Sequence, residues 1–379
     1  MKKIILAIDS FKGCLTSDEA EKAVKAGLQQ VFPNCDIICL PVSDGGEGIL
    51  SVLVRLSHGS YHQTEVTGPC GERIVADYGI SGTDNETAFI ELASAAGLPL
   101  VPPEKRNPLQ TTTYGVGELL LTAIREGRKK IIIGIGGSAT NDAGTGLLTA
   151  LGYRFLDNRG NELPGTGDSL EKIASIDTSH ASFLLRGVQF QVICDVDNPF
   201  YGPEGAAHIY GPQKGATPQM VEALDKGLQS FSRLIEKATG TDVSRLQGAG
   251  AAGGVGGALA AFLHAQLHPG IDFILDGLHF DTILKEADLV ITGEGHADRQ
   301  SVMGKVVSGI LKRTKAQRKP LILLCGGFED AEQLNDAGIT SIFSLVPSPI
   351  PLQTAMNKNY AYNNLRRLAI QIGRLIAIR

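Results

Sequence analysis

The chain has 379 residues, of which 43% are hydrophobic and 20% charged, and its formal net charge is −5. This length favours two domains, and the composition is typical of a globular protein. The negative charge and the lack of a basic stripe argue against a nucleic-acid partner. The N-terminal apolar run ends at Asp9, too early for a signal peptide, and no run has the length of a membrane span. We therefore expect a cytoplasmic protein with no membrane partner, and the sequence leaves its oligomeric state open.

The N-terminal region alternates strand and helix patterns. Residues 3–8 form an apolar run that predicts a first strand, and Thr16 followed by Glu19 predicts a capping box at the start of a helix. Residues 36–42 predict a second strand and 49–56 a second helix. This βαβα order indicates a parallel sheet.

The middle of the chain has a different pattern. Residues 64–80 contain two extended runs around Gly68-Pro69 and Gly71, which predict a β-hairpin. Further elements are predicted after it: helices over about 114–126, 218–238 and 253–263, and strands over 131–133, 153–156 and 190–194.

The α/β alternation returns near the C-terminus, with strands predicted at 289–292 and 321–324 and helices at 306–315 and 359–376. We therefore predict an α/β protein in which both chain ends, residues 1–70 and 276–379, form one doubly wound, Rossmann- or flavodoxin-like domain. Residues 71–275 would be an inserted mixed α/β domain. A simple tandem division near residue 190 is the alternative.

The segment from Lys129 to Gly146, KKIIIGIGGSATNDAGTG, is the most informative part of the sequence. An apolar β-branched run ends in glycines, and polar residues follow before the next apolar run. Glycine lets the backbone approach an anion closely, and the N–H groups of a helix start supply positive charge. This arrangement predicts a phosphate-binding cradle and hence a phosphorylated ligand.

Four strand-like segments end in acidic or small polar residues, starting at Asp9, Ser43, Asp195 and Thr292. Ligands of open α/β sheets bind at the carboxyl ends of the strands. Carboxylates at such a place hold Mg²⁺ or accept a hydroxyl proton, and lysines neutralise phosphate. One such strand end is ordinary helix-start chemistry, but four of them beside a glycine cradle indicate a site.

The cradle also allows a second interpretation. Gly134-x-Gly136-x-x-Ala139 is close to the dinucleotide fingerprint, with Asp157 at about the expected distance. The polar residues that follow suit phosphate and metal better than the early apolar helix of that fingerprint. Another glycine motif, Gly248 to Gly253, indicates either close backbone approach to a ligand or a helix packed tightly on its neighbour.

Taken together, these motifs resemble the bacterial glycerate kinase family, of the type that includes glycerate 2-kinases. The resemblance covers nearly the whole chain. Where the family usually has arginine after Gly-Glu-Gly, this chain has His296. The resemblance rests on residues 9–13, 43–48, 134–144, 194–199 and 293–295, with Asp298, Gly304 and Lys305.

The resemblance implies two α/β domains around a cleft that holds the active site. It also implies transfer of the γ-phosphoryl group of ATP, with Mg²⁺, to a hydroxyl of D-glycerate, with 2-phosphoglycerate the favoured product. Phosphoryl transfer needs positioning, charge neutralisation and a carboxylate near the attacking hydroxyl, which the residues named above provide.

On this basis each motif has an expected role. Asp195 is the favoured base and Asp298 is its rival. Lys12 would balance phosphate charge or bind the glycerate carboxylate. Asp197 is the expected metal ligand, unless it only forms a turn onto Asn198-Pro199. ATP phosphates would be bound by Gly136, Gly137, Ser138, Thr140, Asn141 and Asp142, and substrate by Asp44, Glu47, Glu294 and Arg299.

Two other functions remain as alternatives. An NAD-dependent oxidoreductase would use the Gly134 motif with Asp157. A non-catalytic two-domain protein would close on a small acid, although so many carboxylates at strand ends are unusual for such a binding protein.

Overall fold

The computed structural model describes residues 1–11, 13–43, 48–181, 183–302 and 306–378. None of the helices in these ranges combines the length and the apolar character that a membrane crossing requires. Five residues named in the sequence analysis lie outside the described residues: Lys12, Asp44, Glu47, Gly304 and Lys305.

Strands and helices are numbered here in chain order. The strands are β1 (Lys3–Ile8), β2 (Asp36–Cys39), β3 (Ser60–Thr67), β4 (Arg73–Ile80), β5 (Thr87–Glu91), β6 (Lys130–Gly134), β7 (Arg154–Leu156), β8 (Ser175–Asp177), β9 (Gln189–Ile193), β10 (Gln266–His268), β11 (Leu289–Ala297), β12 (Leu321–Phe328) and β13 (Ser341–Ser344). The helices are α1 (Ser17–Gln29), α2 (Ile49–Leu56), α3 (Ala93–Ala96), α4 (Tyr114–Arg125), α5 (Thr145–Ala150), α6 (Ala206–Tyr210), α7 (Pro218–Thr239), α8 (Ala251–Leu263), α9 (Gly270–Gly277), α10 (Phe280–Lys285), α11 (Val306–Ala316), α12 (Ala331–Ala337), α13 (Leu352–Ala355) and α14 (Lys358–Ile376).

The chain forms two compact units, one of Met1–Asp44 with Gly270–Arg379 and the other of Gly45–Pro269. The boundaries predicted from the sequence are near residues 70 and 275. Helix α2 lies in the second unit because the Glu91 carboxylate, at the end of β5, accepts hydrogen bonds from the N–H groups of Gly48 and Leu50, at 2.8 and 3.1 Å. A carboxylate is stabilising at a helix N-terminus, where N–H groups have no partner within the helix.

The first unit contains a parallel sheet with the order β13-β12-β11-β1-β2. Its β1 is buried, and α1 and α14 pack closely on each other, so that a Cβ at Gly27 would lie 2.4 Å from the carbonyl oxygen of Arg366. The predicted capping box starts α1, where the Thr16 hydroxyl accepts from the N–H of Glu19. The α/β fold class is confirmed, and the doubly wound order of this sheet agrees with the prediction.

The second unit contains a mixed sheet with the order β10-β9-β6-β5-β4-β3. The first four strands are parallel neighbours, whereas β4 pairs antiparallel with both β5 and β3. The β3–β4 pair is the predicted hairpin, and β9 pairs with β6 inside this unit. The carboxyl ends of β6 and β9 therefore lie side by side, which places the loops after them together.

Candidate active site

The glycine-rich segment after β6 is a loop over residues 135–144. Its polar residues are predicted to start a helix, but α5 begins only at Thr145 and has six residues. Thr140, Asn141 and Asp142 are therefore loop residues, and all three are fully buried. Gly137 is exposed and has a φ of +71°, a conformation that favours glycine. The predicted phosphate cradle is therefore loop backbone rather than a helix terminus.

The Asp142 carboxylate holds the loop in this shape. One oxygen accepts from the Gly144 N–H at 3.0 Å, and the other accepts from the N–H and hydroxyl of Thr113 at 2.8 and 2.7 Å. The second oxygen also accepts from the Gly146 N–H at 3.3 Å. Burial raises the pKa of Asp142, while these hydrogen bonds lower it. The carboxylate is therefore occupied by its own chain, which suits a positioning role better than direct contact with a ligand.

Two neighbouring side chains of the loop, those of Thr140 and Asn141, have buried polar atoms without a hydrogen-bond partner among the described residues. Within the described part of the chain, no hydrogen-bond partner exists for the Thr140 hydroxyl or for either amide atom of Asn141. Leaving such atoms unpaired costs about 1–3 kcal/mol each, and buried polar groups usually have a partner. These atoms are therefore candidates for ligand binding.

Lys214 is part of the same loop environment and was missed by the sequence analysis. Its side chain is 2% exposed, and its Nζ donates to the Ser138 hydroxyl at 2.8 Å and to the Thr140 carbonyl oxygen at 2.6 Å. Burial lowers its pKa to about 7, although the negative charge of Asp142 acts in the opposite direction. The sequence around it, Gly211-Pro-Gln-Lys-Gly215, gives no pattern that separates a buried lysine from a solvated one.

The lowered pKa of Lys214 predicts a pH effect on stability. An unfolded lysine keeps its proton up to about pH 10.5, whereas folded Lys214 loses it near pH 7. Between these values the unfolded chain binds the extra proton, so rising pH favours the folded chain. We expect the unfolding free energy of the wild type to rise relative to Lys214→Met from pH 7 to 9, and to run parallel to it below pH 6.5. Urea titrations of both proteins across this pH range measure the two unfolding free energies. Free-energy curves that stay parallel from pH 6 to 9 would contradict the prediction.

Asp195 and Asp197 lie in the loop after β9. In the register of the two strands, Ile193 of β9 is opposite Gly134 of β6, so this loop and the cradle leave the same edge of the sheet. Asp195 is half-buried and Asp197 is exposed. Burial raises the pKa of the adjacent Cys194 thiol to about 11, and the two carboxylates add to this. Cys194 is therefore a neutral thiol at physiological pH.

The second glycine motif packs against both of these loops. A Cβ at Gly253 would lie 2.3 Å from the carbonyl oxygen of Thr140, and one at Gly250 would lie 2.2 Å from that of Pro199. Residues 252–254 have positive φ, so regular helical geometry begins just after the predicted helix start near Gly253. The backbone of the 248–254 segment thus lies close to the 135–144 loop and to the loop after β9. It holds these two loops in place relative to each other.

The dinucleotide interpretation is not supported by the fold. It needs Asp157 after the second strand of a parallel βαβ unit, but β7 belongs to a separate antiparallel pair with β8. The Asp157 carboxylate accepts hydrogen bonds from the side chain and N–H of Asn161 and from the N–H of Arg159. These bonds lower the pKa of Asp157 and stabilise a surface turn over residues 157–161.

The remaining predicted residues of the described chain belong to the first unit. The strand is predicted to end at Thr292, but β11 continues to Ala297, so Glu294 lies within the strand and is 9% exposed. It neighbours Asp9, whose N–H donates to the Gly293 carbonyl oxygen at 2.9 Å. Arg299 is exposed, Asp298 is half-buried, and His296 lies 3.9 Å from the Glu329 carboxylate.

No cluster of three or more histidine, cysteine or acidic side chains suited to a metal ion occurs in the described ranges. Magnesium sites in phosphoryl-transfer enzymes need only one or two carboxylates, because the substrate phosphates complete the coordination. The loop after β9 carries two carboxylates, those of Asp195 and Asp197.

Comparison with known proteins confirms the resemblance. Residues 4–377 match the model of the glycerate kinase family. The chain is 46% identical to a glycerate kinase of Bacillus subtilis strain 168, over 99% of this chain and 98% of the other. It is 43% identical to a glycerate 2-kinase of Escherichia coli K12, with the same coverage.

A solved structure agrees with the sequence comparison. The crystal structure of a Salmonella typhimurium LT2 protein with the provisional name glycerate kinase 2 superposes with a TM-score of 0.86, at 44% identity. It covers 100% of this chain and 98% of that one. Matches of this extent cover both units, and the chain belongs to the glycerate kinase family.

Proposed function

We propose that this kinase transfers the γ-phosphoryl group of ATP to a hydroxyl of D-glycerate, with 2-phosphoglycerate the favoured product. The observation that carries the proposal is the loop over residues 135–144. It combines exposed glycine backbone with buried polar atoms of Thr140 and Asn141 that have no hydrogen-bond partner among the described residues. The loop that carries Asp195 and Asp197 follows the neighbouring strand, β9. The names of the relatives support glycerate as the acceptor.

In this proposal the cradle binds the phosphates of ATP. Gly136 and Gly137 allow close approach of the backbone, and the side chains of Ser138, Thr140 and Asn141 provide hydrogen bonds. Asp142 and Lys214 stabilise the conformation of the loop through their buried hydrogen bonds. Fixed dipoles placed around developing charge stabilise a phosphoryl-transfer transition state without reorganisation.

Asp195 would accept the proton of the attacking hydroxyl, with Asp298 as the rival base. Its half-buried position at the end of β9 limits its motion more than that of the exposed Asp197. Asp197 would hold a Mg²⁺ ion, which neutralises phosphate charge when bound. Glu294 and Arg299 are proposed to bind substrate, as are Lys12, Asp44 and Glu47 outside the described residues.

A coupled assay of ADP release with Mg²⁺ tests the proposal, using D-glycerate, L-glycerate, glycerol and sugar acids as acceptors. We expect turnover with D-glycerate, and NMR of the product then identifies the phosphorylated hydroxyl. Absence of turnover with every acceptor, in protein shown by circular dichroism to be folded, would contradict it.

Gly137→Val tests the cradle. Valine is disfavoured at the +71° φ of this position, and its branched side chain would occupy the exposed side of the loop where phosphate approaches. We expect the Kd for ATP, measured by calorimetry, to rise by about tenfold or more. Gly127→Val is the control, because Gly127 also has a positive φ and lies in a turn with open space around it. Equal ATP affinity in both variants would remove the cradle assignment.

A further inference from the structure

The glycine-rich loop over residues 135–144 contains a single charged side chain, the carboxylate of Asp142. A phosphate brought to such a loop would be repelled, because like charges interact strongly where little water separates them. Lys214 places a cation at this loop. Its side chain is 2% exposed, and its Nζ lies 2.8 Å from the Ser138 hydroxyl and 2.6 Å from the Thr140 carbonyl oxygen. The charge of the loop environment therefore depends on whether Lys214 carries its proton.

The two hydrogen bonds of Lys214 survive the loss of that proton. An ammonium group has three N–H donors and a neutral amine has two, and Lys214 donates to two acceptors. In both forms the Ser138 oxygen accepts from Nζ, so the proton of the Ser138 hydroxyl is left for another acceptor, such as a phosphate oxygen. Deprotonation thus removes the positive charge but keeps the contacts that support the loop.

In the absence of a ligand, the surroundings of Lys214 favour the neutral amine at alkaline pH. Burial lowers the pKa of Lys214 to about 7, and the negative charge of Asp142 opposes this shift. One oxygen of that carboxylate accepts from the Gly144 N–H and the other from Thr113. These bonds favour the charged form of Asp142, so we assign a proton bound in this environment to Lys214.

Other charged groups on the neighbouring elements are engaged elsewhere. The segment of Arg106 packs against Gly215, where a Cβ would lie 2.4 Å from the Arg106 carbonyl oxygen. The Nε of Arg106 donates to the Val101 carbonyl oxygen at 3.4 Å. His208 of α6 lies 4.0 Å from the Asp225 carboxylate. An anion bound at the loop would therefore be the main new charge that acts on Lys214.

We propose that Lys214 is a positioning residue that takes up a proton when phosphate groups bind to the loop, so that it balances Asp142 and presents the Ser138 hydroxyl to a phosphate oxygen. This role rests on the proposed function, in that the phosphates are those of ATP. Bound phosphate raises the pKa of Lys214, because a nearby negative charge favours the ammonium form. Phosphate affinity is then highest below about pH 7, where free Lys214 is already charged, and falls as the pH rises above that value.

NMR of protein labelled with ¹³C at the lysine Cε measures the titration of Lys214 directly. Its signal is the one missing from Lys214→Gln or, if that variant does not fold, from Lys214→Arg. We expect it to titrate near pH 7 in the free protein and about one pH unit higher or more with saturating tripolyphosphate. A signal that titrates near pH 10 in the free protein, or that tripolyphosphate leaves unchanged, would overturn the proposal.

Calorimetry at pH 8, in two buffers with different ionisation enthalpies, counts the protons taken up when tripolyphosphate or ATP binds. Glutamine keeps N–H donors but carries no charge, so Lys214→Gln should take up about half a proton less than the wild type, or an even smaller amount. The difference between the two proteins removes the titration of the ligand itself. Lys237→Gln is the matched control, because it makes the same change at an exposed lysine of α7, and it should take up as many protons as the wild type. Equal uptake in wild type and Lys214→Gln would overturn the proposal.

The pH dependence of affinity gives a further measurement that needs no variant. Between pH 7.5 and 9 the wild type should lose tripolyphosphate affinity by up to about tenfold per pH unit, and an affinity that stays constant would overturn the proposal. D-glycerate alone should leave the Lys214 signal unchanged, and a shift with glycerate but not with tripolyphosphate would also overturn it. If ATP binds with proton uptake by Lys214 in protein that has no glycerate kinase turnover, the proposed function fails and the role of Lys214 stands. Turnover without any change at Lys214 would have the opposite meaning.

Discussion

Replacing Asp195 by asparagine should lower kcat by roughly 10²–10⁴-fold, the usual contribution of a general base. Asparagine has nearly the same shape as aspartate but cannot accept the proton of the attacking hydroxyl. The loop after β9 is held by the 248–254 segment, so the substitution should leave its backbone in place: the Gly250 N–H donates to the Asn198 carbonyl oxygen at 3.0 Å. ATP affinity should change little, since the cradle residues are untouched. Steady-state kinetics with D-glycerate and calorimetry with ATP measure the two effects.

Asp157→Asn is the control for this experiment. It makes the same chemical change in the same unit, at the residue that an oxidoreductase would require. We expect wild-type turnover in this variant, because Asp157 belongs to a surface turn. Near-normal kcat in Asp195→Asn would contradict the assignment and transfer the role of base to Asp298 or Asp197, which the corresponding asparagine variants would then distinguish.

The sequence predicted the fold well where local patterns decide it. The buried β-branched runs became β1, β6 and β11, and the capping box at Thr16 started α1 as expected. Such features depend on neighbouring residues in the chain. The α/β class and the parallel order followed from them.

The geometry of the site depended on contacts that are distant in sequence. The polar residues after Gly137 look like a helix start, but the Asp142 carboxylate bonds to Thr113, 29 residues away, and keeps them in a loop. Lys214 reaches Ser138 across 76 residues. No local periodicity encodes either pairing, which is why the sequence predicted neither of these contacts to the loop.

Gly253→Ala should damage both stability and ATP binding. The new Cβ would lie 2.3 Å from the Thr140 carbonyl oxygen and 2.6 Å from the Asn141 Cα, and both are backbone atoms of the cradle. Lys214 donates to the same carbonyl oxygen from within a buried environment, so the loop has little freedom to withdraw. Overpacking of this kind costs about 1–3 kcal/mol, in addition to about 1–2 kcal/mol for a left-handed alanine.

Gly240→Ala separates these two terms. Gly240 has a φ of +77°, close to the +70° of Gly253, but a Cβ there would meet no atom within 4 Å. The control therefore carries the backbone strain alone. We expect Gly253→Ala to lose more unfolding free energy in urea titrations than Gly240→Ala, and to bind ATP about tenfold more weakly, whereas Gly240→Ala should bind it normally. Equal stability and equal ATP affinity in the two variants would mean that the cradle tolerates displacement by the 248–254 segment. The contact between the 248–254 segment and the 135–144 loop would then not affect ATP binding. The conformation of the loop would depend on Asp142 and Lys214 alone.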